Sequence, residues 1–385
     1  MKAERFVIDI PQSQLDDLDR MLTETRWPRT SNDDSWGKGV PSQFLKPLIE
    51  YWHDRFNWRE QEASLNQLPH FCAEIEGHRI HFIHVRGKGK SAIPLIMTHG
   101  WPDSFTRYTK LIPFLTDPAR YGGLESDTFD VIIPSVPGFV FSQTHSGQSL
   151  NNAEVARLWF RLMTEVLGYQ SFCAAGGDIG SGITRYLASL YPSHIRAIHL
   201  TDVGILRELL SLKDTEYLTE EEQLYRSRAS AWFAEESAYM ALQATRPRTL
   251  AYALNDSPAG LAAWITEKYV AWSGGDGDLF SHFSPEDILT NISLYWLTDS
   301  TETAAAMYRQ NARTLPALTT TSVPVGLCCF PSDILPPPKS WVEKHYNLCH
   351  WTEMPRGGHF AAMEEPALYA EDVKLFFRTY RSAIG

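Results

Sequence analysis

The chain is short of the features on which several function classes depend. Its 385 residues hold five cysteines, Cys72, Cys173, Cys328, Cys329 and Cys349, an odd number, and four of them lie in apolar strand-like runs. These read as reduced, buried thiols, which argues against a disulfide framework and for a cytoplasmic protein. Neither CxxC nor HExxH occurs and the 13 histidines are scattered, so no metal or other cofactor is expected. His78, His81 and His84 fall in a strand whose apolar part is Ile80, Phe82 and Val85, and read as strand residues rather than ligands. Basic residues are in deficit: the formal charge is −11, and no Lys/Arg cluster suited to a phosphate backbone is present, which excludes nucleic acid as a partner. Long apolar runs are missing as well. Met1 to Pro11 has no signal-peptide core and nothing later approaches a spanning length, so no membrane anchor is expected. No repeat or low-complexity segment stands out, and no G-x-S-x-G occurs, which leaves a serine esterase without its nucleophile.

What is present is a core-building composition, 43% hydrophobic and 12% aromatic, long enough for one α/β core with an elaboration. Residues 1–90 read as an N-terminal meander. It holds an amphipathic helix from Gln12 to Glu24, the turn Arg26-Trp27-Pro28, a second helix from Ser42 to Phe56, and a hairpin of Phe71 to Ile75 with Arg79 to Val85. From residue 91 to 203 strands and helices alternate: strand Ile93 to Met97, helix Ser104 to Leu115, strand Phe129 to Ile133, helix Asn152 to Leu167, strand Ser171 to Ala175, and strand Ala197 to Leu200. Residues 204–318 turn into helices rich in alanine, glutamate and aromatics, a cap inserted into the sheet. Strand signals return in 319–385, at Val323 to Phe330 and Leu348 to Thr352, before a closing helix from Glu371 to Tyr380. Parallel strands, an insertion and a return to the sheet predict an α/β-hydrolase fold with a helical cap.

The chemistry concentrates at Gly176-Gly177-Asp178-Ile179-Gly180-Ser181-Gly182, where an apolar strand meets a helix carrying Ile183, Tyr186, Leu187 and Leu190 at helical spacing. Glycines on both sides relieve the crowding of a sharp strand-to-helix turn, so the stretch reads as a nucleophile elbow with Asp178 in the serine place. At a helix N-terminus its carboxylate stays ionised. The bland alternative, an aspartate that merely caps a glycine-rich turn, loses ground to two residues downstream. Asp333 comes after the strand ending at Phe330, and His359 stands in the Gly357-Gly358-His359-Phe360 loop after the last strand. Asp178, Asp333 and His359 thus keep the nucleophile, acid, base order of the fold. The backbone N–H groups of Trp101, in Thr98-His99-Gly100-Trp101-Pro102, and of Ile179 are the candidate oxyanion donors. His99 reads as structural, and Pro134 to Phe139 as another wall of the pocket.

These motifs run through nearly the whole chain, and with them the sequence resembles epoxide hydrolases of the microsomal type, in the form of the soluble microbial members. The resemblance implies two cap tyrosines that act as acids. Tyr239, ahead of Thr245-Arg246-Pro247, matches the first, and Tyr308, in Ala306-Met307-Tyr308-Arg309-Gln310, the second, with Tyr295 in the same part of the cap as its alternative. It further implies a covalent aspartyl ester on Asp178, opened by water that His359 activates, and a vicinal diol product. The partners are then a small-molecule epoxide and water, with a homodimer allowed for. Trp232, Trp264, Trp272 and Trp296 are among many large cap aromatics, which suits an apolar, aryl-bearing epoxide. The rival reading is a haloalkane-type dehalogenase, which shares the aspartate and the base but often carries tryptophan where Ile179 stands. A catalytically inactive hydrolase fold used for binding is the alternative from another class.

Overall fold

A computed structural model describes residues 2–29, 35–203, 218–274, 278–318 and 320–381. Strands β1 (Glu4–Arg5), β2 (His70–Ile75), β3 (His78–Val85), β4 (Ile93–Thr98), β5 (Phe129–Pro134), β6 (Phe172–Gly176), β7 (Ile195–Leu200), β8 (Val325–Cys329) and β9 (Leu348–Glu353) form one nine-stranded sheet. Their order is β1-β2-β3-β5-β4-β6-β7-β8-β9. From β5 through β9 the neighbours are parallel, with Leu95 opposite both Val131 of β5 and Cys173 of β6. Every residue of β4, β5, β6 and β8 is buried, as central parallel strands require when helices cover both faces.

The hairpin of β2 and β3 joins this sheet through antiparallel pairing of β3 with β5, Ile83 opposite Ile133. The expected boundary at residue 90 therefore runs through a continuous sheet. The hairpin covers what would otherwise be the open edge of β5. Helices Gln12–Thr23 and Ser42–Asp54 are where the periodicity put them, and they pack on cap helix Pro258–Trp272. Helix Trp58–Leu65 was not foreseen; it begins at Asn57, whose side chain accepts the Arg59 N–H. Two expected helices are broken. Ser104 to Leu115 is a 3₁₀ stretch, Phe105–Leu111, followed by a short α-helix, Ile112–Thr116, that Pro113 restarts. Asn152 to Leu167 is α-helical only to Arg161 and then widens into a π turn.

Between β7 and β8 the described residues form helices Glu220–Glu236, Ala238–Thr245, Pro247–Leu254, Pro258–Trp272, Pro285–Leu297 and Thr301–Thr314. Local chemistry sets their starts. Thr219 with Glu222 and Ser284 with Asp287 form capping boxes, and Ser257 caps a helix whose first residue is Pro258. Expected cap residues 204–217 lie outside the described residues. The N-terminal helices hold this layer from outside through Tyr51, which donates to Glu286, and Phe44, stacked on Phe280 at 5.7 Å.

Candidate active site

Strand β6 ends at Gly176 and helix Ile179–Leu190 starts three residues later, so the chain must reverse within Gly177 and Asp178. Asp178 does so at φ 58° and ψ −129°, a conformation that costs a non-glycine residue about 1–3 kcal/mol. Its surroundings hold it there. The Asp178 N–H donates to Asp202 Oδ2 at 2.6 Å, and the Ser181 hydroxyl donates to the same oxygen at 2.9 Å. A methyl group at Gly180 would overlap the Thr98 carbonyl, and one at Gly100 would overlap Asp178 Oδ1, so both glycines are demanded by close approach.

The carboxylate faces the carboxyl ends of the strands with its side chain 13% exposed. Oδ1 accepts the Trp101 N–H at 2.9 Å, while Oδ2 lies 3.4 Å from His359 Nε2. On the far side of the ring, His359 Nδ1 donates to Asp333 Oδ1 at 2.7 Å, and that oxygen also accepts the Ile334 N–H at 2.6 Å. The structure thus brings Asp178, His359 and Asp333 into one line, hydrogen-bonded between His359 and Asp333 and at an ion-pair distance of 3.4 Å between His359 and Asp178, with the Trp101 N–H on Asp178. Burial pushes the Asp178 carboxyl up, but His359 and the N–H groups of Trp101 and Ile179 outweigh it and hold the group below its usual value. Burial opposes charge on His359 as well. Asp333 and Asp178 prevail there and lift the imidazole to about 10.

The cap closes over this line with aromatic rings. Tyr239 stacks on Trp101, centroids 5.1 Å apart, and Tyr308 stands edge-on to both, at 6.0 Å from Tyr239 and 6.1 Å from Trp101. Burial, with the nearby Asp178 charge among other groups, raises both phenols well above the ordinary tyrosine value. Tyr295 is elsewhere: its hydroxyl donates to the Asp103 carbonyl at 2.8 Å. Trp272 packs edge-on to His359 at 5.3 Å and tilts against Tyr239 at 5.3 Å, and Trp264 lies 6.4 Å from Trp101. Other cap aromatics turn away, since Phe233 and Phe280 are exposed.

Several residues the sequence reading did not single out belong to the site. Asp202, just after β7, holds the Asp178 backbone; burial, then Asp333, pushes its carboxyl up to about 6. The Lys268 ammonium sits 4.9 Å over the Tyr239 ring while paired with Glu267 at 2.8 Å. Glu364 accepts N–H groups on both sides of His359, from Gly358 and from Phe360, at 3.0 Å each. A charge in an otherwise apolar stretch was the only available signal for any of them.

The residues read as structural have structural partners. His99 Nδ1 donates to the Gly100 carbonyl at 2.9 Å and Nε2 accepts the Val136 N–H at 3.1 Å, which ties the Trp101 turn to the loop after β5. In that loop Phe139 stands against His99 and Tyr295. His81 is held between His70 and Ser135. Among the described residues one group has ligand-like spacing for a metal, His199, Cys328 and Asp372. Its carboxylate is already taken by His199, His350 and Thr352 at 2.6–2.8 Å.

An epoxide hydrolase N-terminal region matches residues 3–108, and the α/β-hydrolase fold matches residues 93–369. The chain is 39% identical to epoxide hydrolase 1 of Sus scrofa over 96% of this chain and 87% of that protein. The chain belongs to the epoxide hydrolase family. This enzyme is also 44% identical, over 98% of its length and 85% of the relative's, to a Stigmatella aurantiaca protein provisionally named an epoxide hydrolase. The solved Aspergillus niger epoxide hydrolase is similar at 30% identity and TM-score 0.86, with 99% of this enzyme and 97% of that chain covered. Among its described residues, no helix is long and apolar enough to cross a membrane.

Proposed function

We propose that this enzyme opens apolar epoxides, aryl-substituted ones included, through an ester on Asp178, with Tyr239 and Tyr308 as acids and His359 as base. The observation that carries this reading is the unequal placing of the two Asp178 oxygens: Oδ1 is bound by the Trp101 N–H, and Oδ2 is left toward the base. In the first step Oδ2 forms a bond to a ring carbon while the bond from that carbon to the ring oxygen breaks. The ring oxygen takes a proton from the tyrosine pair. A phenol with an unperturbed pKa of about 10 is protonated at neutral pH yet far more acidic than the alcohol it creates.

In the second step His359 takes a proton from water, and the hydroxide formed adds to the Asp178 carbonyl carbon. Negative charge gathers on Oδ1, where the N–H groups of Trp101 and Ile179 stabilise it. The tetrahedral centre then expels the alkoxide, which accepts the proton from His359, and the carboxylic acid left on Asp178 releases its proton, which through solvent replaces the one the phenol gave up. The resting imidazolium is no obstacle. Esterification removes the Asp178 charge, one of the two that hold the proton on His359, so the first step itself frees the base for the second.

The division into meander 1–90, core 91–203 and 319–385, and cap 204–318 is supported by the position of the helices between β7 and β8. A cytoplasmic location is supported by five free cysteines, four of them buried. The experiment that tests the mechanism is a single turnover in oxygen-18 water with enzyme in excess. Unlabelled first-turnover diol, with label entering Asp178, is expected; fully labelled diol would reject the ester. A His359→Gln variant should accumulate an adduct of one epoxide mass on the peptide containing Asp178.

A further inference from the structure

We infer that Arg107, with its partner Asp103, is a positioning residue for ester hydrolysis, tying the Trp101 turn, the nucleophile elbow and the His359 loop into one unit and locking a buried cation beside the base. Arg107 is 1% exposed in the 3₁₀ stretch that follows β4. Its Nη1 pairs with the Asp103 carboxylate, and its Nη2 donates to the His359 carbonyl at 2.5 Å. Asp103 Oδ1 accepts the Gly100 N–H at 3.0 Å, one residue before the oxyanion donor Trp101. The guanidinium also lies beneath the elbow, since a Cβ on Gly177 would stand 2.6 Å from Nη2. Cap helix Pro285–Leu297 grips the same turn, Asn291 donating to the Pro102 carbonyl and Tyr295 to that of Asp103, each at 2.8 Å.

Stability alone is a weak reason for such a pair. Apolar residues of similar volume often replace a buried ion pair at no loss, because desolvation consumes most of its attraction. The charge pattern supplies a chemical reason. His359 faces three carboxylates, Asp178 on the elbow, Asp333 after β8 and Asp202 after β7, while Glu364 holds the N–H groups on either side of it and Asp103 is paired with Arg107. The cap meets it with the Trp272 indole and carbonyl, which carry no net charge. Among the described residues Arg107 is a cation that acts on it, and it lowers the hold of the imidazole on its proton. A base that must be neutral to activate water gains from that cation, provided the cation is locked where it cannot pair with Asp178. Asp103 does the locking.

The inference rests on the two-step reading, and the test separates the two. Ester loss is followed by intact mass across the neutral to alkaline range in wild type, in Asp103→Asn/Arg107→Gln, and in Arg107→Lys. The double variant removes both charges together, so no lone buried ion remains. It should form ester at close to the wild-type rate, lose it several-fold more slowly at neutral pH, and reach half-maximal hydrolysis at a higher pH, because Arg107, on the His359 carbonyl, outweighs Asp103 in its effect on the ring. Arg107→Lys keeps the charge and loses the fork, so it should slow ester loss with the wild-type midpoint. An unmoved midpoint in the double variant, or an equal shift in Arg107→Lys, would overturn the inference. Unfolding of both variants would do so too, by making the pair a support of the core. Absence of any ester in wild type would instead sink the two-step reading.

Discussion

Replacing Asp178 by asparagine removes the nucleophile's charge while keeping its shape, which imitates the electrostatics of the ester without the substrate. His359 Nε2 lies 3.4 Å from that charge. Coulomb's law at this separation gives about 5 kcal/mol at an effective dielectric of 20 and about 1 kcal/mol at the value for water. At 1.36 kcal/mol per pH unit, that is a fall of roughly one to four units in the pKa of His359. From about 10 in the resting enzyme, His359 in Asp178→Asn should titrate between about 6 and 9. Carbon-13 histidine labelling with NMR titration would follow the ring, the signal being assigned by its loss in His359→Gln. A midpoint unchanged by Asp178→Asn would refute the reasoning, since Asp333 alone would then retain the proton and ester formation could not release the base.

Three further outcomes rest on the same geometry. Tyr239→Phe and Tyr308→Phe should each slow alkylation by about 100-fold, read by stopped-flow fluorescence, whereas Tyr295→Phe should leave it unchanged and cost about 1 kcal/mol of stability by urea unfolding. Gly100→Ala places a methyl group on Asp178 Oδ1 and should lower kcat/KM by about 100-fold or more, the loss expected when an oxyanion donor is displaced. Folding stability should also fall with rising pH: His359 is raised from 6.5 to about 10 on folding, so its contribution is complete below about 6.5 and is lost as pH rises through about 10. The loss is on the order of a few kcal/mol, and it should be missing from the same urea series in His359→Gln.

The proposed catalytic line was legible as a spatial group because each member follows a strand end, and strands, unlike contacts, leave a local pattern. Asp178, Asp333 and His359 could be placed in order from the apolar runs ahead of them, although Asp333 stands 155 positions after Asp178. The Tyr308 and Tyr295 alternatives could not be separated that way, since both stand on amphipathic helices and only the fold turns one hydroxyl to Tyr239 and the other to Asp103. Asp202, Arg107 and Glu364 act through groups far off in the chain, on Asp178 N–H, the His359 carbonyl and the flanks of His359. Two helices broke where Pro113 and the π turn interrupt an amphipathic pattern that periodicity alone reads as continuous.

The edge-on contact of Trp272 with His359 would give the enzyme an optical reporter of the proposed ester. An imidazolium 5.3 Å from an indole quenches its emission more strongly than a neutral imidazole does. Resting enzyme, with His359 protonated, should hold Trp272 dim; the ester, with a neutral ring, should let it brighten; and diol release should dim it again. Turnover could then be watched as a pulse of tryptophan light in unlabelled protein, its rise timing ring opening and its decay timing hydrolysis. The pulse should vanish in Trp272→Phe.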